Sequence, residues 1–185
     1  MKKSSTYQYV LTAFGAAIVS VLAQISIPIP LSPVPITGQT LAIGLVVTIL
    51  GTRLGTLSVL LYILIGATGL PVYSNFSGGP SILFGPTGGY IVGFLPTAII
   101  MGLYLKKFGL TIPHAIASNV IGMVITLAFG TVWLKFAMNL SWMGAFMSGA
   151  APFIILGLAK AVLAAWVGVI VRRRLESARL IEATA

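Results

Sequence analysis

The chain contains no cysteine and no aspartate, and its two acidic residues, Glu176 and Glu182, both fall among the last ten positions. Without cysteine there are no disulfides and no thiolate metal sites. Without an acid in the first 175 residues, a proton or sodium relay built on intramembrane carboxylates is excluded, and so is a carboxylate-held magnesium site. The single histidine, His114, has no second histidine, cysteine or nearby carboxylate to complete a metal site. The nucleophile, base and orienting group of ordinary hydrolysis are missing as a set, so the chain is read as a non-enzyme that needs no cofactor. A GxxxxGK[ST] phosphate loop is also missing, so the chain either draws on ATPase partners or works as a self-sufficient facilitator or channel for a small carboxylate-bearing molecule.

What the chain has in excess is apolar surface. Of its 185 residues 58% are hydrophobic and 7% charged, with a mean hydropathy of +1.08. A soluble domain carries about 25% charged residues, so this composition describes a polytopic, all-α membrane protein. About 20 residues of helix cross a bilayer core of about 30 Å, so the charge-free stretches measure the spans. Residues 4–52 and 54–105 are free of charge, and each is long enough for two crossings. Residues 108–134 suffice for one more, and 136–171 supply the last, interrupted by Lys160. Six transmembrane helices are expected, in a single domain over residues 1–185. With both termini cytoplasmic, Lys2, Lys3, Arg53, Lys106, Lys107, Arg172, Arg173, Arg174 and Arg179 lie inside and Lys135 lies outside. That distribution follows the positive-inside rule and explains the net charge of +9 without any nucleic acid. Lys2 and Lys3 followed by an apolar run to Val21-Leu22-Ala23 also have the form of a secretory signal. Because the rest of the chain is equally apolar, the run is read as an uncleaved first span.

Proline and glycine mark the breaks. The first helix is expected from about Tyr7 to Ile27, ending where Pro28, Pro30, Pro33 and Pro35 remove amide donors and fix φ. Two short helices follow, from Gly38 to Gly51 and from Gly55 to Gly66, and short or interrupted spans are where transporters build sites. The later helices are expected at Tyr90 to Leu105, Leu110 to Phe129 and Pro152 to Val171, with a partly helical, aromatic-rich outer connection over 130–150. Residues 67–89 are rich in Gly, Pro, Ser and Thr yet retain Val72, Tyr73, Phe76, Ile82, Leu83 and Phe84. Irregular backbone of that polarity has to be covered by protein or line a cavity, so a folded outer lid is expected there.

Lys160 is the most informative side chain. It lies twelve residues before Arg172, about 18 Å along a helix, in the outer half of the hydrocarbon layer. No internal carboxylate can neutralise it. Its partner is then a substrate carboxylate, or backbone carbonyls, or water reached by snorkelling. Asn75 in the lid, Asn119 within the fifth helix, and Gln39 with Thr37 at the start of the second are the other polar groups near the outer mouth. An amide donates and accepts, as a neutral polar ligand requires, and it also serves interhelical hydrogen bonds. Ala13 and Ala17, continued by Ala16 and Ser20, give the first helix a small-xxx-small face that permits close approach by another helix, internal or from another subunit.

These residues resemble a known family. GLPVYSNFSGG at 69–79 followed by FGPTGGYIVGF at 84–94, with VPITGQT at 34–40, the Ala13 and Ala17 pair and Lys160, is similar to the BioY family of biotin S-components of energy-coupling-factor transporters. The resemblance covers nearly the whole chain. It implies six helices, a biotin site near the outer face of a bacterial cell membrane, and association with a transmembrane coupling subunit and two ATPases. By position it implies substrate contacts at Asn75, Tyr90 and Lys160, and a docking surface for the coupling subunit at Ala13 and Ala17. The chain departs from the family's common PGDLxK pattern before this lysine: it reads ILGLAK, so Gly157 stands where an aspartate is common.

Overall fold

The computed structural model describes residues 4–30 and 32–181; Lys2, Lys3 and Glu182, which figure in the charge pattern above, lie outside them. Helix α1 (Ser5–Ala23) begins where the Ser4 hydroxyl accepts the Tyr7 amide at 3.4 Å. It ends four residues before the expected Ile27. The chain there becomes extended, and Ser26–Ile27 (β1) pairs antiparallel with Ile36–Thr37 (β2), enclosing the proline-rich segment in a two-stranded flap.

Helix α2 (Gln39–Ala67) joins the two short helices expected from the sequence across a single residue, Gly51, at φ 77° and ψ −174°. The chain reverses there. Gln39 and Tyr62 would stand about 34 Å apart on a straight helix, yet the Gln39 Nε2 donates to the Tyr62 hydroxyl at 2.6 Å. A methyl group on Gly55 would fall 2.8 Å from the Val47 Cα, so the two arms lie against each other with glycine between them. No separate loop divides the arms, because glycine alone reaches a conformation closed to residues with a Cβ.

The lid contains a 3-10 turn (Ser74–Phe76) and the short α3 (Pro80–Phe84). It leads into α4 (Gly88–Phe108), which ends at Gly109, where φ is 85°. Helix α5 (Ile112–Ala137) starts on a Thr111 cap and runs two turns beyond the expected Phe129, since Thr126, Gly130 and Leu134 continue one buried stripe at four-residue spacing. The outer connection contains α6 (Trp142–Gly149), capped by Ser141, and α7 (Ala151–Ser177) completes the chain. Among the described residues five segments, in α1, α2, α4, α5 and α6 to α7, are long and apolar enough to cross a membrane. With α2 folded double, six helical arms run through the bundle.

The bundle has its polarity arranged for lipid. Large apolar side chains face outward, with Ile155 83% exposed, while Thr48, Ser58, Thr97, Ser118, Asn119 and Thr126 are buried. Inside, small residues set the helix spacing: Gly168 lies against Thr48, Gly44 against Ala164 and Gly102 against Thr52. Helix α1 belongs to this core through Ala16, Val19 and Ala23 and packs on α2, where Gly15 leaves room for Ser58.

The two ends differ in charge. Arg53, Lys106 and Arg172 line one recess at one end, and the Tyr7 hydroxyl donates to the Leu180 carbonyl there. His114 packs in the same region between Tyr104 and Phe108, an aromatic contact with no metal-ligating cluster among the described residues. Lys135 sits at the opposite end, its ammonium 4.4 Å from the Phe136 ring centre and 4.9 Å from that of Trp142.

Gly51 is the position where this architecture is most exposed to substitution. A Cβ there would stand 3.2 Å from the Arg172 Nη1 as well as opposing the positive φ. Gly51→Ala is expected to lower stability by about 1–3 kcal/mol, read as a drop of several degrees in the melting temperature of the detergent-purified protein. An unchanged melting curve would show that the reversal does not need glycine.

Candidate ligand-binding site

At the end opposite the arginines the helices splay around a cavity with about 700 Å³ of empty space counted out to its mouth. The flap contributes Val34, Pro35 and Thr37, α2 contributes Gln39 and Thr40, and the lid contributes Ser74 and Thr87. Tyr90, Ile91 and Phe94 from α4, Met123, Thr126 and Leu127 from α5, and Phe153, Leu156, Gly157 and Lys160 from α7 complete it. Its wall is apolar, set with neutral hydroxyls and amides and a single cation. A cavity of that kind suits a ligand with an apolar body, neutral hydrogen-bonding groups and one negative charge.

Lys160 is half-buried, and its Nζ donates to the Thr37 carbonyl at 2.6 Å. That bond ties α7 to the flap and aims the ammonium. It does not neutralise it. An ammonium has three donors, so two are left for an anion in the cavity. Gln39 is held from both sides, accepting from the Thr37 hydroxyl at 2.9 Å and donating to Tyr62. Tyr90 is buried against Gly130 and donates to the Gly149 carbonyl at 2.6 Å, so it presents its ring to the cavity while its hydroxyl ties α4 to α6.

The remaining sequence candidates stand at other levels. Asn119 is buried below the cavity, in a smaller recess shared with Thr40 and Lys160, and donates to the Thr48 hydroxyl at 3.2 Å and the Ala115 carbonyl at 2.9 Å. Asn75 is exposed on the outer side of the lid, off the cavity wall that Ser74 lines. Asn75 has φ 58° and ψ 37°, in the left-handed region where asparagine is enriched. Ala13 and Ala17 are both exposed on α1, whereas Ala16 faces the core.

Sequence reasoning missed the parts that hold the lid. Gln24, at the end of α1, donates through Nε2 to the Val72 and Tyr73 carbonyls at 3.2 Å each and accepts the Phe76 amide at 2.8 Å. Tyr73 is fully buried, fits against Gly66, meets Tyr62 edge to face at 5.5 Å and donates to the Ile63 carbonyl at 2.7 Å. Burial pushes its hydroxyl up to about 12, so it stays a neutral donor. Trp133 Nε1 donates to the Gly85 carbonyl at 2.9 Å and secures the far side. The Phe153, Gly157 and Lys160 stripe was accessible from the sequence, because spacings of four and three put these residues on one helical face. Gln24 offered no such signal, since its partners in the lid are 48 to 52 residues away.

Residues 1–177 match the model of the BioY family. This chain belongs to the BioY family. It is 41% identical over 177 residues to the biotin transporter BioY2 of Lactococcus lactis subsp. cremoris, a match that covers 95% of each chain. It is 42% identical over 139 residues to the biotin transporter BioY of Thermotoga maritima, covering 75% of this chain and 81% of that one. The fold is similar, with a TM-score of 0.87 and 27% identity over 94% of each chain, to the crystal structure of the S-component for biotin from an ECF-type ABC transporter. The BioY fold accounts for the lid as an ordered element and not a linker, since Gln24, Tyr73 and Trp133 fix it at three points.

Gln24→Ala removes three hydrogen bonds to the lid, worth about 0.5–1.5 kcal/mol each, along with one to the Ser20 carbonyl, and leaves the Phe76 amide without its acceptor. Hydrogen exchange at residues 72–76 is expected to accelerate at least tenfold while exchange in α4 and α5 stays as in the parent protein. Equal rates in the lid of both proteins would remove Gln24 as its fastener.

Proposed function

We propose that this chain binds biotin at the cavity around Lys160 and takes it up as the S-component of an ECF-type ABC transporter. It is a multi-pass plasma-membrane transport protein and not an enzyme. The observation that carries the reading is the lone ammonium of Lys160, aimed by the Thr37 carbonyl into a largely apolar cavity that has no acid in its wall. A valerate carboxylate meets the ammonium by a charge-assisted hydrogen bond, and the chain and ring lie along Phe94, Leu127 and Phe153. Gln39, Thr40, Ser74 and Thr126 supply neutral partners for the ureido group. Gly157 brings no carboxylate to this wall, and the Met123 sulfur occupies the space where a side chain at 157 would begin. We place the arginine-rich end in the cytoplasm and the lid outside, with the six helical arms as the membrane spans.

Lys160→Met keeps most of the stem and removes the charge. Biotin affinity should fall about ten- to 150-fold, the equivalent of about 1.5–3 kcal/mol, with the protein still folded. Biotin amide should bind the two proteins nearly alike, since the lysine and the carboxylate form one interaction and their losses are not additive. Equal dissociation constants for biotin in the two proteins, measured by titration calorimetry, would refute the carboxylate assignment.

Transport needs the coupling subunit and its two ATPases, and we assign their docking face to the outer side of α1. Ala13 and Ala17 lie there between the exposed Tyr9, Val10, Phe14 and Val21, forming a shallow notch among large side chains. Ala13→Trp or Ala17→Trp is expected to leave biotin binding unchanged and to reduce co-purification with the coupling subunit at least tenfold. Undiminished co-purification would move the docking face elsewhere.

A further inference from the structure

We propose that the arginine-rich end of the bundle holds the phosphate headgroup of an anionic phospholipid, in a recess between the α2 reversal, the end of α4 and α7. This site lies at the opposite end from the biotin cavity and is independent of it. The recess has about 650 Å³ of empty space counted out to its mouth. Arg53, Lys106 and Arg172 line it, with Leu105 and Leu110 on its apolar wall and Thr52 beside the turn.

The three cations are not equivalent. Arg172 is 7% exposed, and its Nε donates to Glu176 at 2.8 Å while its Nη1 donates to the Ile49 carbonyl at 3.0 Å. Those two bonds fix the guanidinium over Gly51. Nη2 has no hydrogen-bond partner among the described residues, so a guanidinium held by its other two nitrogens keeps a free donor in the lining of the recess. Arg53 and Lys106 are exposed, and among the described residues neither has an ion pair and no acid lines the recess. An anion placed there completes the hydrogen bonding of Arg172 and offsets two further positive charges.

A phosphate oxygen suits this set, because a guanidinium fork and an ammonium match its tetrahedral face. The apolar wall distinguishes the source. Free phosphate gains nothing from Leu105 and Leu110, whereas the glycerol and first methylenes of a lipid bury them. The recess also stands where the lysines ending α4 mark the membrane boundary, at the depth of headgroups. A headgroup there bridges the α2 turn, α4 and α7.

The test is native mass spectrometry of the full-length protein in detergent with equimolar phosphatidylglycerol and phosphatidylcholine. One phosphatidylglycerol should be retained in preference to phosphatidylcholine. Arg53→Gln and Lys106→Gln should each weaken retention about fivefold and together about 30-fold, the equivalent of about 1 kcal/mol per cation. Lys135→Gln, at the other end of the bundle, should leave retention unchanged. Displacement of the lipid by millimolar inorganic phosphate would retain the phosphate site but identify free phosphate as a competing occupant. Equal retention of the two lipids, or equal losses in Lys135→Gln and the double variant, would overturn the site. So would a double variant that keeps its phosphatidylglycerol but no longer joins the coupling subunit, because the recess would then serve a protein partner.

Discussion

The reversal of α2 at Gly51 holds both ends of the bundle in place. Because the chain doubles back on one left-handed glycine, the start and the finish of α2 arrive together, and Gln39 bonds to Tyr62. Around that meeting point stand Thr37 under the Lys160 ammonium, Thr40 in the cavity wall, and Tyr73 of the lid packed on Tyr62. At the other end the turn itself lies beneath Arg172, whose Nη1 would be 3.2 Å from a Cβ at 51. A single backbone conformation thus positions the ligand cavity and the basic recess together, and neither can shift alone without moving the packed arms between them.

Electrostatics divides the molecule along the same axis. An apolar bundle with no internal acid cannot pair a buried ammonium with a carboxylate of its own. The Thr37 carbonyl solvates one donor of Lys160 and leaves the positive charge intact, which is the condition for recognising an anionic ligand from outside. At the basic end Glu176 pairs with Arg172, while Arg53 and Lys106 have no ion pair among the described residues. Buried hydroxyls and amides fill the level between. Asn119 with Thr48, and Thr97 with Thr126 at 2.9 Å, join helices without introducing charge where the dielectric is low.

The sequence by itself determined the class, the separation of charge between the ends and the isolation of Lys160. These depend on composition and on distance along the chain, and transfer from water to lipid acts on each segment almost independently. It also determined that residues 67–89 form ordered structure, because a segment so apolar and so rich in glycine has to be covered. Tertiary structure decided which side chains meet. It turned Ser74 toward the cavity and Asn75 away, set Asn119 one level below, gave the Tyr90 hydroxyl to Gly149, and fastened the lid through Gln24. Those outcomes depend on the left-handed residues at 51 and 75 and on contacts across tens of residues, where a rotation of one position exchanges an inward side chain for an outward one and no local propensity records the choice.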